Sequence, residues 1–135
     1  MPEPLFRLGA TLRHDPAIDQ WLNQQQGPLG EMARMWFAVM RDCGDEVREL
    51  LHDGHPIACF GNVPFAYVDV FTKHANIGFF QGASLADPCR YLEGTGKAMR
   101  HVKLGRPSKP PVDAMELRRM ITAAYEAIRQ RVEAE

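Results

Sequence analysis

The sequence has no long apolar run, few cysteines and no excess of charge of either sign. No segment of its 135 residues reaches the roughly 20 apolar residues that span a bilayer, so no transmembrane helix is expected. The three cysteines form no C-x-x-C pair, which argues against a disulfide framework and favours a reducing compartment. A net charge of -1 excludes the basic excess of a general nucleic-acid or membrane-surface binder. Because the first stretch is also too polar for a signal peptide, we predict a cytoplasmic protein.

Motifs of common catalytic sites are also missing. Ser84 and Ser108 lack the G-x-S-x-G context of a nucleophilic serine. The turn at 94–97 reads G-T-G-K but is no phosphate loop, since Tyr91 stands where the first glycine is needed and Ala98 follows the lysine. We therefore predict a protein that is not an enzyme.

Local signals predict four helices. Asp15 before Pro16 has the character of an N-cap, and a helix follows up to Gly27. The spacing of apolar residues predicts further helices over 28–44 and 45–54. A last helix opens at Asp113, where a capping box is followed by a long apolar stripe.

Between these helices the apolar pattern alternates, which predicts β-strands. The predicted strands cover residues 56–60, 64–72, 74–80 and 99–104. We expect an α+β fold, with a four-stranded, mainly antiparallel sheet packed with about four helices. An N-terminal arm, residues 1–14, precedes this single domain, residues 15–135.

The second predicted strand is apolar on both faces. Alternation places Phe65, Tyr67 and Phe71 on one face and Val68 and Val70 on the other. An antiparallel sheet usually exposes one face to water. Either a helix covers the second face or a partner does, and a second copy of the chain would give a homodimer.

A long block of sequence carries a family resemblance. Residues 78–104, GFFQGASLADPCRYLEGTGKAMRHVKL, with V-R-E-L at 47–50 and P-F-A-Y at 64–67, resemble the hallmark segments of the YdhG-like family of domains of unknown function. The resemblance covers a little over half of the chain. It implies a small fold compared with frataxin and, from one bacterial branch, an intracellular iron chaperone.

The helix predicted over 45–54 carries the candidate metal ligands. Glu46, Glu49 and Asp53 recur at three- and four-residue steps, with His52 beside them. Carboxylates spaced along a helix face attract hard cations weakly. The alternative is a solvated helix face. On the first interpretation the protein is an iron or other metal carrier, or an adaptor for a protein partner, and it has no cofactor beyond weakly bound iron.

A second hypothesis places a small ligand or anion between the sheet and the connection Asp87–Lys97. The glycine turn gathers backbone N–H groups near cationic side chains, and aromatic residues flank it. The candidate residues are Tyr67, Tyr91, Gly94, Gly96, Lys97 and Arg100.

Overall fold

Three α-helices pack on one face of a six-stranded antiparallel sheet in the computed structural model, which describes residues 4–107 and 109–135. The helices are α1 (Pro16–Gln24), α2 (Gly27–Arg41) and α3 (Ala114–Glu133), and the strands are β1 (Val47–His52), β2 (His55–Phe60), β3 (Val63–Val70), β4 (Ala75–Phe79), β5 (Leu92–Glu93) and β6 (Arg100–Leu104). The α+β class and the antiparallel sheet are confirmed. The counts are wrong, because the sheet has six strands rather than four and the described chain has three α-helices rather than about four.

The helix predicted over 45–54 is strand β1. It pairs with β2 in an antiparallel hairpin whose loop is Asp53-Gly54, with His52 opposite His55. Both loop residues have positive φ, 51° and 81°, which is the backbone of a type I′ turn. The right-handed twist of that turn matches the twist of paired strands, so the hairpin forms in place of a helix.

Predicted helix starts agree with the structure at both ends of the domain. The Asp15 side chain accepts a hydrogen bond from the Ala17 N–H, and Pro16 occupies the first helical position. The Asp113 side chain accepts from the N–H groups of Met115 and Glu116. None of the described helices is long and apolar enough to cross a lipid bilayer.

The strands follow the order β1-β2-β3-β4-β6-β5. Buried residues of all three helices and of the facing side of the sheet form the main core. Strand β5 was not predicted, and it pairs Leu92 and Glu93 with Val102 and His101 of β6. The predicted connection is therefore anchored as a short edge strand.

A bulge changes which side chains of β3 share a face. Ala58 pairs with Ala66 whereas Cys59 pairs with Pro64, so Phe65 is an extra residue on β3. Phe65 therefore points towards the helices together with Ala66, and it is 1% exposed. The simple alternation that grouped Phe65 with Tyr67 is wrong at this position.

Part of the second face is covered by the N-terminal segment rather than by a helix. Leu12 forms an antiparallel bridge with Glu49 at the edge of β1, and the Leu8 N–H donates to the Asn62 carbonyl over 2.8 Å. The Leu8 side chain is buried on a small apolar cluster with Leu50, Ile57 and Cys59 of the sheet. The homodimer stays a prediction, but the apolar surface that motivated it is smaller than the sequence indicated.

Candidate binding cleft

The predicted metal ligands do not converge. Because residues 47–52 are extended, Glu46 and Asp53 lie beyond opposite ends of a strand that is about 17 Å long at roughly 3.3 Å per residue. Glu49 is 1% exposed, and both its oxygens pair with Arg41 of α2, at 2.8 and 2.7 Å. The His52 Nε2 lies 3.4 Å from a carboxylate oxygen of its exposed neighbour Asp53, and no other ion pair of His52 is found within the described part of the chain. Within the described residues no three His, Cys, Asp or Glu side chains are grouped to hold a metal ion.

The glycine turn before β6, residues 94–97, is held by hydrogen bonds from Arg100, the first residue of β6. The Arg100 guanidinium donates to the carbonyls of Gly96 and Met99, the latter over 2.6 Å. Gly94 has a φ of +125°, which a side chain would strain. Lys97 is exposed on the same turn. Arg100 therefore stabilises the turn, because its donors are directed at backbone oxygens of the protein.

Tyr67 and Tyr91 lie in different places and do not share a pocket. The Tyr67 ring covers Gly78 on the second face of the sheet, where a Cβ on Gly78 would come within 1.9 Å of it. Its centroid is 4.9 Å from the His55 ring, and burial raises the pKa of the Tyr67 phenol. Tyr91 lies instead at the far edge of the sheet, beside α2.

One cleft, called here the basic cleft, is bounded by α2, by residues 90–93 and by the loop between β6 and α3. It encloses about 750 Å³. Its apolar lining comes from three separate parts of the chain and includes Met32, Met35, Trp36, Tyr91, Leu104, Pro110, Pro111, Val112 and Ala114. The site thus overlaps the predicted ligand pocket at the 87–97 connection but faces α2.

Charged side chains line the basic cleft with a clear excess of positive charge. Arg90, Lys103, Arg106 and Lys109 are cationic, and Glu93 is the single carboxylate of the lining. One Glu93 oxygen is 3.6 Å from the Lys103 ammonium and the other is 3.1 Å from an Arg106 Nη2. One anion is therefore shared by two cations, and four cations face one carboxylate.

His101 adds no positive charge near this cluster at neutral pH. It lies opposite Glu93 in the pairing of β5 with β6. Burial lowers the pKa of its imidazole, and the nearby Glu93 opposes that shift only in part. Because the ordinary pKa of histidine is already about 6.5, a lowered pKa leaves the ring mostly neutral at pH 7.

Hydrogen bonds and one close backbone approach hold the walls of the cleft. The Asp87 carboxylate accepts from the N–H groups of Tyr91 and Leu92, each over 2.9 Å. The Tyr91 hydroxyl in turn accepts from the Asp113 N–H over 3.1 Å, which ties residues 90–93 to the start of α3. Gly105, at a φ of +77°, passes so close to α2 that a Cβ would lie 2.5 Å from Leu29. These contacts preform the cleft without a ligand.

Of the candidate ligand residues named in the sequence analysis, Tyr91 alone belongs to this lining. Met32, Met35 and Trp36 belong to the helix predicted over 28–44, where apolar spacing indicates burial rather than a ligand site. Met35 is in fact 53% exposed, at the mouth of the cleft. A usable signal was the run K-L-G-R-P-S-K-P-P at 103–111, where cations alternate with residues that stiffen a loop.

The three cysteines differ in accessibility, which gives a direct test of the fold. Burial raises the pKa of Cys43 to about 11 and of Cys59 to about 12, whereas Cys89 is exposed. We expect a thiol reagent such as Ellman's reagent at pH 8 to modify Cys89 rapidly and the other two slowly, because the thiolate is the reactive form. Cys89→Ser should remove the fast phase, and urea should release all three thiols. A fast phase that survives in Cys89→Ser would contradict the placement of the thiols.

No protein family, curated protein or solved structure matches this chain at the level of significance required. The resemblance of residues 78–104 to the YdhG-like family, and the iron-chaperone role that it implies, therefore stay predictions.

Proposed function

We propose that this protein is a non-enzymatic binding protein that holds a small amphipathic organic anion in the basic cleft. The supporting observation is the combination of an apolar floor with four cations against one carboxylate, within about 750 Å³. Small-molecule sites commonly enclose about 300–1,000 Å³ and are mostly apolar with a few polar groups. The proposal keeps the small-anion hypothesis of the sequence analysis but places the site on the side of the 87–97 connection that faces α2.

The floor of the cleft suits a flat or flexible apolar body. Trp36 is 6% exposed and Leu104 is also 6% exposed, so both form a fixed base. Met32 and Met35 are unbranched and adapt their shape to what they contact. The loop prolines lose little conformational entropy on ligand binding, since their φ is already fixed.

The rim of the cleft suits a single anionic head group. Arg90 and Lys109 are exposed at the rim, while Lys103 and Arg106 lie deeper beside Glu93. Guanidinium and ammonium groups bind carboxylates by charge-assisted hydrogen bonds, which are stronger where water is partly excluded. An anion in the cleft would reduce the repulsion among these four cations.

The same lining offers little for catalysis. Among the residues of the cleft, Glu93 is the one carboxylate, and it is paired with two cations rather than poised beside a nucleophile. The described residues of the lining include no serine, cysteine or histidine. Among these described residues, none is positioned as a general base or nucleophile for proton transfer or covalent chemistry.

Calorimetry with a matched pair of probes tests the proposal. We expect 1-naphthoate to bind with a Kd on the order of 10–100 μM, the affinity that about 0.5 kcal/mol per non-hydrogen atom gives for a ligand of this size. The neutral analogue 1-naphthalenemethanol should bind about tenfold more weakly, because it cannot use the cations. Equal binding of the two probes, or no binding of either, would contradict an anion-binding cleft.

A pair of methionine variants locates the binding. Met35→Glu places a like charge at the mouth of the cleft and should weaken 1-naphthoate binding at least about tenfold. Met99→Glu makes the same change at a residue of similar exposure, 44% against 53%, outside the cleft lining. Binding should survive in Met99→Glu, and loss in both variants alike would place the ligand elsewhere.

A further inference from the structure

The Glu93 carboxylate occupies the place in the basic cleft where the anionic group of a ligand would bind. Its carboxylate lies between Lys103 Nζ at 3.6 Å and Arg106 Nη2 at 3.1 Å. The two cations belong to different segments, the end of β6 and the following loop. Glu93 itself comes from the two-residue edge strand β5, and its side chain is 38% exposed. Its side chain can therefore swing towards solvent without disturbing a long strand.

Arg106 is incompletely paired in this arrangement. Its Nε is buried and has no hydrogen-bond partner among the described residues. A guanidinium binds a carboxylate best through two parallel N–H donors, whereas the ion pair of Arg106 with Glu93 joins Nη2 to one carboxylate oxygen and leaves Nε without a hydrogen-bond partner among the described residues. A buried donor without a partner destabilises the state that contains it. An anion that takes the place of Glu93 can supply the acceptor that this buried donor lacks.

We infer that Glu93 is a resident carboxylate that competes with the ligand for Lys103 and Arg106, and that the ligand is an amphipathic monocarboxylate. The inference rests on the proposed function and adds the ligand class and a residue that sets affinity. The space between the Arg106 guanidinium and the Lys103 ammonium already holds the carboxylate of Glu93. A ligand carboxylate has the same size and charge, so it fits the same space. On binding, the ligand carboxylate accepts from Arg106 and Lys103, and Glu93 turns to water.

Removal of the competing charge should therefore tighten binding. We expect Glu93→Gln to lower the Kd of 1-naphthoate about tenfold, the effect of deleting one nearby like charge in a partly solvated site. Arg106→Met should raise the Kd about tenfold. Glu126→Gln is the matched control, since Glu126 is also paired with an arginine, Arg129, but lies on α3 outside the cleft lining. Its Kd should equal that of the unaltered protein.

Nuclear magnetic resonance of the unaltered protein gives a second readout that does not depend on how the variants fold. The Arg106 Nε–H signal, assigned by its loss in Arg106→Lys, should shift downfield as 1-naphthoate saturates the protein, because that donor gains an acceptor. A signal that stays in place at saturation would overturn the inference.

The outcomes separate this inference from the proposed function. If the unaltered protein fails to bind 1-naphthoate, the proposed function is wrong, whatever Glu93→Gln does. If the unaltered protein binds but Glu93→Gln binds equally or more weakly, Glu93 is no competitor and only the inference is wrong. If 1-naphthyl phosphate binds the unaltered protein more tightly than 1-naphthoate, the monocarboxylate class is wrong.

Discussion

Replacing Phe65 with alanine should lower the free energy of unfolding by about 3–5 kcal/mol, the range for truncating a fully buried phenylalanine. Phe65 is 1% exposed because the bulge in β3 turns it towards the helices. Its ring packs edge-on against Tyr125 of α3, with the centroids 5.4 Å apart. The substitution would leave a cavity between the sheet and α3, which relaxes only in part. Urea unfolding followed by circular dichroism measures the loss.

Phe71→Ala is the matched control for this prediction. Simple alternation places Phe65 and Phe71 on the same face of the strand, whereas the structure leaves Phe71 46% exposed beside His74. We expect Phe71→Ala to change the free energy of unfolding by less than about 1 kcal/mol, as surface substitutions do. Similar losses in the two variants would mean that β3 runs without the bulge.

Arg41→Met should destabilise the protein by about 3 kcal/mol, because it leaves the buried Glu49 carboxylate without its cation. Arg41 donates from Nε and Nη2 to the two oxygens of Glu49, and the hydrogen bonds with Glu49 raise the pKa of Arg41. Glu49 also accepts from the Asp15 N–H over 3.0 Å, so the pair joins α2, β1 and the cap of α1. Urea unfolding at pH 7 checks the prediction.

Two further variants separate the buried pair from charge in general. Arg129→Met removes an arginine that pairs with Glu126 and Glu133 on the exposed side of α3, and it should leave the unfolding midpoint nearly unchanged. Adding Glu49→Gln to Arg41→Met removes the stranded charge while keeping an acceptor for the Asp15 N–H, so part of the lost stability should return. If the double variant is less stable than Arg41→Met alone, the stranded charge is not the cause.

The segment 45–54 illustrates how a strong local pattern can mislead. Val47, Leu50 and Leu51 have helical spacing, and acidic residues at its start favour a helix N-terminus. The same segment ends in Asp53-Gly54, the dipeptide typical of a two-residue hairpin turn, followed at once by an alternating strand. Pairing with β2 satisfies the backbone of β1 along six residue pairs, and this long-range term outweighs the local preference.

The basic cleft could not be predicted from local sequence patterns, for a different reason. Its lining comes from α2, from residues 90–93 and from residues 103–114, which are far apart in the chain. Each piece has an ordinary local explanation, such as the helix stripe around Trp36 or the loop prolines Pro110 and Pro111. Of the candidate ligand residues named in the sequence analysis, only Tyr91 belongs to this lining, so local patterns did not bring the three pieces together.

By itself the sequence determined the features whose causes lie within a few residues. The side chains of Asp15 and Asp113 cap helices by accepting from N–H groups two or three positions away. The tertiary structure decided what depends on distant groups. Packing put Phe65 under α3 and paired Glu49 with Arg41, and it brought Glu93 between Lys103 and Arg106. Burial and charge pairing are properties of the assembled layers, since a side chain's environment is set by whichever segments fold against it.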